Sequence, residues 1–315
     1  VVDAGNGVGG FYAKDVLEVL GADISGSVYL EPDGNFPNHA PNPENAQAME
    51  CVSKATADAN ADFGVIFDTD VDRAACVGKG GFEINRNRLV ALASKIALTN
   101  CEGGTIVTDS VTSDGLAEFI AENGGKHLRF KRGYRNVINK QIELCKNGIP
   151  CPLAMETSGH AAFADNYFLD DGAYLIIKLI IEAAALSKQG KTLEGLIENL
   201  REAKEEKELR FRILCDDFRP EGEKIIELFK NEAKVNADFT VCNDNHEGIR
   251  INSANGNGWF LIRMSVHDPI IVLNSESDSY GGIMKMCKTV YDVISKAENI
   301  DRLDISSLTD YIKEE

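Results

Sequence analysis

One local order of elements occurs twice in the chain, and it constrains the fold more than any single motif. "VVDA" is a short apolar strand, "GNGVGG" a turn, and "FYAKDVLEVL" a helix that Gly21 ends. The same order returns with "GTIVTDS", the helix "TSDGLAEFIAENGG" and the strand "KHLRFKRG". A strand, a Gly-punctuated turn, a helix and a further strand build α/β layers with largely parallel pairing. The spacing predicts further helices over "AQAMECVSKATADAN", Leu89–Leu98, "RNVINKQIELCKNG" and the stretch after Asp170-Asp171-Gly172. After "REAKEEKEL", expected to be a solvated hinge, the grammar changes. "RFRIL", "GIRINSA", "GWFLIRMS" and "IIVLNSE" are strands, and the "NGNG" turn favours antiparallel pairing. The expected fold is two related α/β domains with mostly parallel mixed sheets, residues 1–98 and 99–204. A smaller α+β domain with an antiparallel sheet follows over residues 205–315.

Composition narrows the function classes. The 315 residues are 43% apolar and carry a formal net charge of −17. That charge weighs against nucleic acid and against an anionic membrane, both of which select basic surfaces. A small anionic substrate needs only a few local cations. No apolar run is long enough to span a bilayer. The eight cysteines form no C-x-x-C pair. Reduced thiols in a cytoplasmic protein are therefore expected rather than a disulfide framework. The chain opens with Val1 inside what reads as a core strand, which points to residues upstream.

The segment "FDTDVDRAACVG" places Asp68, Asp70 and Asp72 at alternate positions behind an apolar strand. In an extended segment such positions face one way, and three crowded carboxylates call for a positive partner. An oxygen-only set at the mouth of a strand suits magnesium. A calcium EF-hand is excluded, because its required Gly and Glu positions hold Arg73 and Lys79. A phosphatase with Asp68 as nucleophile, assisted by Lys131 and Asp170-Asp171, stays open at this point.

Two further segments carry chemistry. In "METSGH", Glu156, Ser158 and His160 offer an acceptor and several donors suited to adjacent sugar hydroxyls; taken alone the signal is weak and a polar loop is the default reading. In "RMSVHDP", Arg263, Ser265 and His267 alternate after a strand and can converge on one anion. A polar edge strand is the alternative.

Taken in order, these segments resemble the α-D-phosphohexomutase family, the phosphomannomutases and phosphoglucomutases. "VVDAGNGVGG" resembles the opening strand of that family's second domain, and "EPDGNFPNHAPNPEN" its next loop. "DTDVDR" is similar to its D-G-D-G-D-R metal loop and "KRGY" to its Lys-x-Gly segment. "METSGH" is similar to its sugar loop, and "RMSVHDP" to its phosphate loop. The resemblance implies interconversion of hexose 1-phosphate and hexose 6-phosphate, with mannose or glucose as the sugar. A phosphoserine would donate the phosphoryl group and a bisphosphate would turn over in the site. Asp68, Asp70 and Asp72 would hold Mg2+, and Arg73 would meet the transferring phosphoryl group. Lys131 would serve as a proton-transfer or phosphate group, its alternative being a strand-end surface lysine. Arg88 would lie near the cleft, and Glu156, Ser158 and His160 would grip the sugar. Arg263, Ser265 and His267 would hold the phosphate that does not react.

The departures from the pattern matter. The serine loop, T-A-S-H-N-P or close to it, occurs nowhere in these 315 residues. The N-terminal phosphoserine domain is therefore expected to be missing from this chain, and the chain to be inactive alone. Thr69 and Val71 replace the glycines of the metal loop and restrict its backbone. Val266 and His267 replace residues that donate to phosphate, so affinity there is expected to fall as His267 loses its proton. A non-catalytic sugar-phosphate-binding protein is the alternative of another class.

Overall fold

Short, fully buried strands capped by polar loops set the first half of the molecule. The structure, a computed structural model, describes residues 1–265 and 268–313. The chain forms two compact units, Val1–Arg201 and Glu202–Glu315.

In the first unit, β1 (Val2–Asp3) is followed by α1 (Ala46–Asp58), β2 (Gly64–Phe67), β3 (Ala74–Val77), β4 (Glu83–Ile84) and α2 (Arg86–Thr99). The sheet order is β1-β2-β3-β4. β1 and β2 are parallel, with Asp3 opposite Ile66, whereas β2–β3 and β3–β4 are antiparallel. Every residue of β2 and β3 is buried. A second sheet follows from β5 (Thr105–Thr108), α3 (Asp114–Glu122), β6 (Lys126–Arg129), α4 (Tyr134–Lys146), β7 (Leu153–Met155), β8 (Ala161–Phe163) and α5 (Gly172–Ser187). Its order is β6-β5-β7-β8, with only the β7–β8 pair antiparallel. One apolar core joins both sheets, from Val2, Phe67 and Leu89 to Leu116, Leu153 and Leu175.

Side-chain caps fix where these helices begin. Asn45 accepts from the Ala48 N–H, Ser113 from Leu116 and Asp171 from Tyr174. The segment "FYAKDVLEVL" departs from the expected α-helix. A 3-10 turn at Val8–Gly10 leads into a π-helix at Tyr12–Leu17. There the backbone passes so close to Leu30 that a Cβ on Gly10 would lie 1.9 Å from its carbonyl oxygen. The preceding turn rests on the acidic loop, the Val8 N–H donating to the Thr69 carbonyl at 3.0 Å.

The second unit contains β9 (Glu205–Ile213), α6 (Phe218–Glu232), β10 (Phe239–Val241), β11 (Ile249–Ser253), β12 (Gly258–Met264), β13 (Ile270–Ser277), α7 (Gly282–Ile294), β14 (Leu303–Asp304) and α8 (Ser306–Lys313). The sheet runs β10-β11-β12-β13-β9-β14 and every pairing in it is antiparallel. Phe211, Phe229, Phe260 and Val290 lie in its core, with residues of α6, α7 and α8. Most of "REAKEEKEL", expected to be a hinge, is the first half of β9, with Glu205 to Leu209 in register against Ser277 to Leu273. Main-chain pairing overrides the charge of its side chains. All eight cysteines are free. Among the described residues, no helix is long and apolar enough to cross a membrane.

Phe67 ends β2 directly before the acidic loop and meets Tyr12 edge-on at 5.1 Å. Phe67→Ala is expected to cost about 3–5 kcal/mol through the cavity it leaves. Leu20→Ala, at a site 67% exposed, should stay within about 0.5 kcal/mol. Denaturant midpoints of the two variants check both.

Candidate active site

The acidic loop is folded around one of its own carboxylates. Asp68 is 2% exposed. Its Oδ1 accepts from the Val71 and Arg73 N–H groups at 3.0 and 3.1 Å, and its Oδ2 from Arg73 Nε at 3.0 Å. These bonds hold Val71 at φ 72°, a left-handed conformation that a β-branched residue adopts rarely. The turn they close brings Asp68, Asp70 and Asp72 together, with ligand oxygens within 4.8 Å of one another. Asp70 is exposed and Asp72 half-buried. Burial and a hydrogen bond with Asp68 push the Asp72 carboxyl up to about 6; His160 opposes this, while the charges of Asp68 and Asp70 add to it.

The sugar-loop candidate is tied to the same place. Arg73 and His160 form an antiparallel backbone bridge. Gly159 makes that approach possible: its φ is +100°, and a Cβ there would lie 2.6 Å from the Ala74 carbonyl oxygen. His160 Nδ1 lies 3.8 Å from Asp72 and 2.7 Å from Asp170. Its ring stacks on Tyr134 at 4.9 Å. Burial pulls the His160 pKa down, but the hydrogen bond to Asp170 and the charges of Asp170, Asp72 and Glu156 outweigh it, so the net shift is upward.

Glu156 is 3% exposed and accepts from the Gly133 N–H at 2.6 Å. Gly133 has φ +110° and precedes α4, so the "KRGY" turn meets the sugar loop through a conformation glycine supplies. Burial, then the Asp109 carboxylate, push the Glu156 carboxyl up to about 7, against the Gly133 bond, His160 and Arg132. Ser158 is buried and its Oγ has no hydrogen-bond partner. Lys131 is exposed on the same turn as Gly133.

The remaining candidates have the following contacts. Arg88 turns back along its sheet, donating to the Glu83 carbonyl at 3.0 Å and lying 4.8 Å from the Phe82 ring centroid. Glu83 pairs with Val77, at the opposite end of β3 from Arg73. These two contacts lie at the β4 edge. Arg263 and Ser265 belong to the second unit. Arg263 is buried, 4.0 Å from Glu247, and Ser265 Oγ accepts from the Asp268 N–H at 3.3 Å. His267 lies outside the described residues.

Several contributors escaped the sequence. Asn42 accepts from Arg73 at 3.3 Å, Tyr134 stacks on His160, and Asp170 fixes the His160 ring. Asp170 was visible as part of a helix start and as a possible assistant in the phosphatase alternative, and Tyr134 only as the last residue of "KRGY".

Comparison with known proteins decides the family. The model of phosphoglucomutase/phosphomannomutase alpha/beta/alpha domain II matches residues 1–81, and that of domain III matches residues 85–203. The chain belongs to the phosphoglucomutase/phosphomannomutase family. A phosphomannomutase/phosphoglucomutase of Pseudomonas putida is 31% identical over 282 residues, covering 89% of this chain and 57% of that protein. The chain thus spans a little over half the length of that relative. The crystal structure of a family protein from Burkholderia thailandensis superposes with a TM-score of 0.77 at 28% identity, covering 94% of this chain and 60% of the other. The N-acetylphosphoglucosamine mutase of Aspergillus fumigatus, solved with GlcNAc-6P and magnesium, shares the fold at a TM-score of 0.57 and 13% identity, covering 93% and 65%.

Two outcomes test this geometry. Gly159→Ala should lose about 1–3 kcal/mol of stability, since the bridge to Arg73 cannot close around a Cβ. Glu156 gives a pH signature. Its folded carboxyl keeps a proton that the unfolded chain releases near 4.5, so stability falls as pH rises from about 4.5 to 7. Relative to Glu156→Gln, the wild type should lose up to about 3 kcal/mol across that window. A difference that stays flat with pH, read from urea unfolding, would count against a titrating Glu156.

Proposed function

We propose that this chain supplies the metal, sugar and phosphate sites of a hexose phosphate mutase. The enzyme would interconvert the 1-phosphate and 6-phosphate of mannose or glucose through a phosphoserine and a bisphosphate. The donor serine would come from a segment outside these 315 residues. The observation that carries the proposal is the Arg73–His160 bridge, which sets a cation-seeking carboxylate trio against a sugar-suited loop.

The trio fits magnesium on its own chemistry. All donors are oxygens, as a hard cation requires. Asp72 Oδ1 is buried without a hydrogen-bond partner, and its carboxyl is pushed up by burial first and then by neighbouring Asp68 and Asp70. A divalent ion bound there would neutralise charge on the phosphoryl oxygens. Arg73, already aligned by Asp68, would present its guanidinium to the same group. Glu156 would accept from a sugar hydroxyl, and the partnerless Oγ of Ser158 has spare capacity for a second. His160, whose pKa is raised, would donate beside them, and exposed Lys131 would reach a phosphate or relay a proton. Arg263, Ser265 and His267 would take the second phosphate. Arg263 already faces Glu247, so a bound phosphate would compete with that carboxylate. In-line phosphoryl transfer needs this positioning and neutralisation more than a strong nucleophile.

Phosphatase chemistry on Asp68 is disfavoured. Both of its oxygens hold the loop together and the residue is almost wholly buried. The P. putida relative's name joins mannose and glucose activities, which supports use of both sugars here.

The test uses the full-length protein in assays of 1-phosphate to 6-phosphate conversion, with and without Mg2+. Conversion should require the metal, and the 315-residue chain alone should show none. Asp70→Asn is the clean metal probe, because Asp70 is exposed and Asp68 holds the loop without it. It should lower turnover by roughly a hundredfold or more with an unchanged unfolding midpoint. Release of free phosphate in place of isomerisation would overturn the proposal.

A further inference from the structure

A second convergence of ligand-type side chains lies in the first unit, apart from the carboxylate trio. Asp3 ends β1, His39 sits in the Pro/Asn-rich loop, and Cys51 lies on α1. Their ligand atoms fall within 4.8 Å of one another. Asp3 and His39 are buried, and Cys51 is half-buried. We propose that Asp3, His39 and Cys51 form a binding site for a borderline-soft divalent transition metal of the zinc class.

The geometry matches such an ion in three respects. His39 Nε2 stands 3.1 and 3.0 Å from the two carboxylate oxygens of Asp3. A tetrahedral zinc with bonds of about 2.0 Å to nitrogen and oxygen separates them by about 3.3 Å, so the pair needs almost no adjustment. The other ring nitrogen, Nδ1, is 3.0 Å from the Ala40 carbonyl. Donation there leaves Nε2 as the ligand and orients the ring, the outer bond that metal-bound histidines make. Finally, the Cys51 thiol lies within 4.8 Å of the ligand atoms of Asp3 and His39. Its Sγ lies 3.8 Å from the Tyr29 hydroxyl, and the Tyr29 ring packs edge-on against His39 at 5.5 Å.

A buried Asp–His ion pair is the competing account. It explains the first contact, since a proton on Nε2 also bridges ring and carboxylate. It leaves the sulfur with only its hydrogen bond to the Tyr29 hydroxyl, whereas a nitrogen, oxygen and sulfur set is what zinc selects and magnesium does not. The half-buried Cys51 edge provides the entry path.

Cobalt reports the site directly. The full 315-residue chain is titrated with Co2+ in saturating Mg2+, which occupies the oxygen-only trio. A thiolate-to-cobalt absorption in the near ultraviolet should appear, saturate at one equivalent and disappear on adding Zn2+. Cys51→Ser should lose that band, and Asp70→Asn should retain it. Independently, Zn2+ should slow alkylation of Cys51 by iodoacetamide, read by peptide mass, without slowing alkylation of Cys242. No near-ultraviolet band, a band that survives Cys51→Ser, or Cys51 alkylation unaffected by Zn2+ would each leave only the Asp–His ion pair and overturn the site.

Discussion

Arg73 is the residue on which the candidate site depends. Its backbone pairs with His160, its N–H and Nε bind Asp68, and its far end reaches Asn42. Three segments far apart in sequence are thereby fixed to one another. The guanidinium also supplies the first positive charge among the carboxylates. With its side chain partly exposed and its charge permanent, Arg73 can keep its hold on Asp68 and still face a phosphoryl group. A lysine would keep the charge and lose the forked geometry that serves both partners.

The electrostatics follow from that arrangement. Asp68 is satisfied by three donors and needs no further cation to stay folded. Asp72 and Asp70 are not so placed. Asp72 is the residue that burial and its like-charged neighbours push up, and His160 only partly compensates. The negative charge left over is concentrated on the open side of the loop. A protein of net charge −17 can bind an anionic sugar phosphate under these conditions if a divalent cation and a few fixed donors intervene. The carboxylates and the cations therefore form one device, with Asp68 structural and Asp70 and Asp72 available.

Much of this was legible in the chain. Asp68, Asp70 and Asp72 do come together behind an apolar strand, but through a turn with Val71 at φ 72° rather than along an extended segment. The antiparallel sheet of the second unit is a local signal, where "NGNG" and alternating strands agree. The Arg73–His160 bridge was not legible, because it joins residues 87 positions apart, a long-range pairing that no spacing rule encodes. Tyr134 and Asp170 entered the site by the same route. "REAKEEKEL" misled for another reason. Glu206, Lys207 and Glu208 in β9 are exposed, and exposed strand positions carry charge. Charge density there reports exposure and says nothing about main-chain pairing.

Val71 shows how a departure in sequence is absorbed. The family's metal loop has glycine where this chain has Val71, and the backbone there still takes φ 72°. For a β-branched residue that conformation costs on the order of 1–2 kcal/mol. The loop holds it because Asp68 captures the Val71 and Arg73 N–H groups, and because the Val71 carbonyl accepts from the Gly172 N–H at 3.1 Å. The side chain returns part of the cost by burying itself in the shared core. Gly172 has to be glycine for the same reason, since a Cβ there would lie 2.8 Å from both the Val71 oxygen and the Arg73 carbonyl carbon. The start of α5 is thus pressed against the acidic loop from behind, and the loop keeps its shape through contacts that a glycine-containing loop would need less.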